Sequence, residues 1–168
     1  MQGTQPGLRI MSAPQKHLDM PLTWDEISLH AQSLALKLAD KGPWKGVVAI
    51  TTGGMVPACI IARHLKIKHI DTLCISSYDD QSQRKAQVIK AADAGDGTGW
   101  LVIDDLSDTG NTFRAARALM PNAHYAALYA KPAGEDAVDT YIMSVSTDTW
   151  LHFPWETNEA SYIAPTAK

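Results

Sequence analysis

The chain has 168 residues, enough for one domain with a single core. Hydrophobic residues make up 45% and charged residues 20%, and the net charge of -3 lacks the basic surplus by which nucleic-acid-binding domains hold phosphate backbones. A small anionic ligand, which needs only local positive groups, remains compatible with that balance. Cys59 and Cys74 form no CxxC pair and share no ligand spacing with a histidine, so in their apolar surroundings they read as reduced core residues of a cytosolic protein. No apolar run approaches the ~18 residues of a membrane-spanning helix. Residues 1–20 contain no apolar signal-peptide core and read as a loose extension, which leaves 21–168 as the domain.

In chain order, Thr23-Trp24-Asp25-Glu26 reads as a capping box, with Thr23 as N-cap and Glu26 reaching back. Ile27, Ala31, Leu34, Ala35 and Leu38 then follow helical spacing until Gly42-Pro43. Residues 46–50 form a short apolar run, the pattern of a buried strand. Thr51-Thr52-Gly53-Gly54 is a tight loop, and a second helix is predicted over 56–65. Residues 70–76 read as a strand, and the polar, aperiodic stretch 77–85 as a mobile loop. After turn-rich residues 93–99, a strand over 100–103 runs into Asp104-Asp105. A helix is predicted over 113–120, with strands over 125–130 and 141–145. Strands alternating with helices imply an α/β domain whose mostly parallel, doubly wound sheet is flanked by helices. Ligands on such sheets bind beyond the carboxyl ends of the strands. The tail carries Trp150, Phe153 and Trp155 with weak periodicity, so residues 147–168 are expected to form a small C-terminal hood, a cap over the site rather than a sheet layer.

The chemistry concentrates in Val102-Ile103-Asp104-Asp105-Leu106-Ser107-Asp108-Thr109-Gly110-Asn111-Thr112. Residues 108–112 form a small-residue turn whose backbone N–H groups can converge on an anion. Gly110 allows close approach, the hydroxyls of Thr109 and Thr112 can donate, and the following helix adds its N-terminal dipole. Asp104 and Asp105 place two carboxylates at a strand end, pointing to opposite faces, where they can accept from sugar hydroxyls or hold magnesium. A phosphate nest beside a diol-binding acidic pair describes a phosphorylated ribose. The alternative reading is local: Asp108, Thr109, Asn111 or Thr112 caps the next helix.

This string resembles the PRPP (5-phosphoribosyl 1-pyrophosphate) motif of type I phosphoribosyltransferases. The segments Thr23-Trp24-Asp25, Trp44-Lys45-Gly46, Gly53-Gly54-Met55-Val56-Pro57, Cys74-Ile75-Ser76-Ser77-Tyr78-Asp79, Ala130-Lys131-Pro132-Ala133-Gly134, Asp148-Thr149-Trp150 and Pro154-Trp155 further resemble the bacterial xanthine-guanine subgroup, from about residue 22 to residue 156. The resemblance implies transfer of phosphoribosyl from PRPP to a 6-oxopurine (guanine, xanthine or hypoxanthine) in purine salvage, with Mg2+. It implies that residues 104–112 bind PRPP, with Asp105 on the metal and Asp108 taking the proton lost near purine N7. It implies that Lys131 contacts the 6-oxo group, Trp150 stacks on the base, and the Leu151 carbonyl reads the 2-position. Thr52, Gly53 and Arg84 fall where pyrophosphate is held. It also implies a homotetramer in the cytoplasm, with peripheral contact at the inner membrane face.

One departure stands out: Thr52 occupies the place where close relatives carry an arginine. Relatives also hold this loop with a non-proline cis peptide, expected here at Thr52–Gly53. Three other readings stay open at this point: a non-catalytic PRPP sensor, a transferase for another base, and a metal-dependent phosphatase using Asp104. A cationic Lys131 favours a 6-oxo acceptor over a 6-amino group, which offers donors.

Overall fold

The computed structural model describes residues 18–77 and 86–156. The helix α1 (Trp24–Ala39) opens on the predicted capping box: Thr23 Oγ1 accepts from the Glu26 amide at 3.2 Å, while Glu26 Oε2 accepts from the Thr23 amide at 2.8 Å. Its five predicted core positions, Ile27, Ala31, Leu34, Ala35 and Leu38, are all buried. Four strands of the central sheet follow as read, within a residue or two: β2 (Gly46–Thr51), β3 (Ile70–Ser77), β6 (His124–Ala130) and β7 (Thr140–Ser144). The helices α2 (Met55–His64) and α3 (Asn111–Leu119) also match, α3 beginning two residues earlier than its apolar pattern suggests. The strand β5 (Trp100–Ser107) continues through the acidic pair instead of ending before it.

The central sheet has strand order β4-β3-β2-β5-β6-β7, parallel throughout except for β4 (Ala86–Lys90), which pairs antiparallel with β3. Alternation along the inner strands sorts side chains between two cores, as a pleated sheet covered on both faces must. Val47, Ala49, Leu101, Ile103, Ala126 and Leu128 face α1 and α2. Val48, Ile50, Val102, Tyr125 and Ala127 face Phe113 and Ala116 of α3. Together these establish the predicted α/β class.

Sheet order also fixes where a ligand can enter. From β2 the chain moves to β3 on one side, then returns to β5 on the other, so the order reverses between β2 and β5. Their pairing stops at Ala49 opposite Ile103, and the loops that follow diverge. A crevice opens at such a switch point. The two loops that border it are residues 52–54 and 108–110.

Four sequence expectations need correction. The edge strand β4 was not predicted, because residues 87–90 are all exposed and leave no alternation to read. The strand β1 (Leu18–Pro21) lies partly within the expected extension and pairs in parallel with β8 (Thr149–His152) of the expected hood, forming a separate two-stranded sheet. The hood is thus a small sheet layer with an N-terminal strand in it. Such a pairing joins four-residue segments about 130 positions apart, and nothing local announces it. Finally, the cysteines are free but not core residues: Cys59 is exposed on α2 and Cys74 is partly buried on β3.

Candidate active site

The end of β2 turns sharply. The Gly54 amide donates to the Ile50 carbonyl at 2.8 Å and the Met55 amide to that of Thr52 at 3.2 Å, folding the loop back over the strand tip. The cis peptide lies at Thr51–Thr52, one bond earlier than expected. A methyl group at Gly53 would collide with the Asp105 carboxylate, so only hydrogen fits between this loop and the acid.

Asp104 is buried and Asp105 partly so, and the Asp105 amide donates to Asp104 Oδ1 at 2.9 Å. Although adjacent side chains leave a strand in opposite directions, the two charges still feel each other. Burial, then the neighbouring Asp105 charge, pushes the Asp104 carboxyl well above its usual range. Burial also lifts Asp105 to about 6, with the Glu156 carboxylate adding to the rise. Among the described residues neither acid pairs with a cationic side chain. Those residues contain no group of three His, Cys, Asp or Glu side chains able to enclose a metal. The acidic pair instead offers hard oxygen donors to the cleft that both residues line. That suits a magnesium ion completed by substrate oxygens and water, the usual manner for this ion.

Beyond the acids, side chains divide between scaffold and cleft. Leu106 packs into the α1–α2 core. Ser107 is buried, donates to the Gly134 carbonyl at 2.8 Å, and accepts the Lys131 amide on its own carbonyl at 2.9 Å. Ser107 therefore pins the Lys131 loop to the tip of β5. Lys131 is 7% exposed, and its Nζ lies 3.2 Å from Asp108 Oδ1.

The turn 108–112 leads into α3 without a side-chain cap; its N-cap is Gly110, in the left-handed region at φ 78°. The N-cap is thus none of the four residues that the capping reading named. The amides of Asn111, Thr112 and Phe113, in the first turn, have no carbonyl four residues back within the helix. Only a long contact of 3.5 Å joins the Asn111 amide to Thr109 Oγ1. Arg114 braces the turn from behind, donating to the Thr109 carbonyl at 2.7 Å and to Asp136 Oδ1 at 2.5 Å.

These loops and the hood enclose a cleft of about 940 Å³ lined by Thr52, Gly53, Asp104, Asp105, Thr112 and Trp150 among the predicted residues. Trp150 is 56% exposed, so it is not core packing. Leu151 is buried by its side chain. The carbonyls of Asp148 and His152 accept from Leu18 and Leu22 of the β1 segment. Alternate carbonyls on a strand point to opposite edges, so that of Leu151 points away from β1. Arg84 and the rest of the predicted loop 78–85 lie outside the described residues. The lining also includes Ile75, His152, Phe153, Trp155 and Glu156. Phe153 and Trp155 stack at 4.9 Å and form the hood's inner wall. His152 was missed in the sequence, although its position two residues after Trp150 on a strand places it on the same face.

Residues 19–161 match the phosphoribosyl transferase domain family. A xanthine-guanine phosphoribosyltransferase of Desulfotalea psychrophila is 52% identical over 146 residues, covering 86% of this chain and 90% of that protein. One from Nitratidesulfovibrio vulgaris (Hildenborough) is 49% identical over 145 residues, covering 86% and 88%. The crystal structure of a purine phosphoribosyltransferase from Pyrococcus horikoshii superposes with a TM-score of 0.73 at 24% identity, covering 88% of this chain and 99% of that one.

The raised Asp105 carboxyl has a definite pH signature. In the unfolded chain it ionises near its ordinary value of 3.8, in the folded protein near 6, so stability falls as pH rises through that window and the full cost applies above it. Asp105→Asn is expected to raise the ligand-free melting temperature by about 3–8 °C at pH 7.5. That gap should close towards pH 4. Calorimetry at both pH values checks this; an equal gap at both would refute it.

Proposed function

The chain belongs to the phosphoribosyl transferase domain family, and from that premise we propose how its cleft, which transfers phosphoribosyl from PRPP to a purine base, divides the work among its residues. The observation that carries the reading is the strand tip of buried carboxylates running directly into an uncapped helix N-terminus, at the switch point of the sheet. The acids suit the ribose hydroxyls, and the amides and hydroxyls of residues 108–112 suit the 5-phosphate. Thr52 and Gly53 offer backbone to the pyrophosphate, with Arg84 as its cation. Magnesium, when bound at Asp105, would neutralise charge on the departing pyrophosphate.

Guanine, xanthine and hypoxanthine are the proposed acceptors. N7 and O6 lie side by side on one edge of a 6-oxopurine, and Asp108 and Lys131 stand 3.2 Å apart. The Lys131 ammonium has three donors, enough to keep Asp108 and contact O6 together. Asp108 then accepts the proton lost as the base bonds to C1. Trp150 stacks on the ring, and the Leu151 carbonyl, free of the β1 ladder, accepts from the 2-amino group when the base is guanine. Products are the nucleoside monophosphate and pyrophosphate. A homotetramer in the cytoplasm completes the proposal.

Pyrophosphate release with a panel of purine bases, PRPP and magnesium tests it. Turnover of 6-oxopurines and not of adenine is expected; PRPP binding without release for any base would indicate a sensor instead. Asp108→Asn should lower kcat by roughly 10²–10⁴-fold while the PRPP KM stays within about threefold. An unchanged kcat removes Asp108 from the base role. Thr52→Arg adds a charged hydrogen bond to pyrophosphate, and the PRPP KM should fall about tenfold. An unchanged or raised value would count against a pyrophosphate clamp weakened at Thr52.

A further inference from the structure

The hood strand β8 carries Trp150 into the cleft, and β1 holds β8 from one side. In the register of this pair Trp150 stands opposite Asp19 and His152 opposite Pro21. Residues two apart on a strand share a face. Trp150 and His152 thus present one face of β8 to the cleft, while Thr149 and Leu151 on the other face are buried. Across that cleft-facing side, Asp19 Oδ1 accepts from His152 Nε2 at 2.8 Å. The contact is diagonal, from Asp19 to the residue two beyond its direct partner, a spacing over which cross-strand pairs interact. It forms with neutral histidine carrying its hydrogen on Nε2 and with imidazolium alike.

Two four-residue strands make a marginal sheet by themselves. A side-chain bond that ties their cleft-facing sides together limits how far β8 can slide or tilt. Asp19 itself does not line the cleft. We infer that Asp19 is a positioning residue for base binding, acting through His152 to hold β8 and set the height at which Trp150 meets the purine ring. The inference rests on the reading of Trp150 as the stacking ring. Because Trp150 and Leu151 meet the base and not PRPP, the effect should be confined to one substrate.

The two side chains are 72% and 50% exposed, so the contribution is that of a surface pair and the kinetic effect is modest. Steady-state kinetics with guanine and PRPP on the full chain test it. Asp19→Ala should raise the KM for guanine about two- to fivefold, leaving kcat and the PRPP KM unchanged. Asp19→Asn, which keeps an acceptor, should stay near wild type, and the exchanged pair Asp19→His with His152→Asp should recover most of the loss. A guanine KM unmoved by Asp19→Ala, an equal rise for PRPP, or failure of both rescues overturns the inference. A wild-type protein that turns over no purine base overturns the functional reading and this inference with it, whereas an active wild type with unmoved variants overturns this inference alone.

Discussion

Two adjacent carboxylates, one buried and one partly so, without a cation among the described residues to balance them, are the constraint around which the rest of the cleft is organised. Burying an unpaired carboxylate is costly, and the cost takes the form of a raised proton affinity. The site therefore holds a standing preference for something positive or hydrogen-bond donating. A sugar diol and a divalent cation both meet that need. Around the pair stand a glycine loop that leaves only a hydrogen's width beside Asp105, and a strand that continues past the acids so that Ser107 anchors the Lys131 loop.

Three strand tips supply three different sets of chemical groups. The β2 tip offers backbone, the β5 tip offers acids and then amides, and the β6 tip offers Lys131. Parallel strands bring all three to the same end. The hood closes the fourth side with a sheet of its own, and its aromatic wall of Phe153 and Trp155 continues into the molecule through Tyr129, whose hydroxyl meets His30 Nδ1 at 2.7 Å.

What could be read from the sequence was whatever is encoded locally. The α1 capping box, the apolar runs of β2, β5 and β6, and the eleven-residue string at the β5 tip each carry their signal within a dozen positions. The residues lost to sequence reading depend on partners far away. β4 is an exposed edge with no alternation, and β1 and β8 become strands only through each other. Cys59 reads as core by composition, yet the helix turns it outward. Trp150 could have been packed inside, and only the placement of β8 at the rim shows it open to the cleft. The acids were legible as a pair, but their mutual electrostatic burden was not, because it comes from the depth at which β5 runs between its neighbours.

The pairing of Leu18–Pro21 with Thr149–His152 also orders events during synthesis. The ribosome delivers the first strand early and its mate only after nearly the whole sheet has emerged, and contacts so distant in the chain are slow to close. The nascent polypeptide therefore has the acidic tip of β5 and the turn that follows it well before it has β8 to close the cleft.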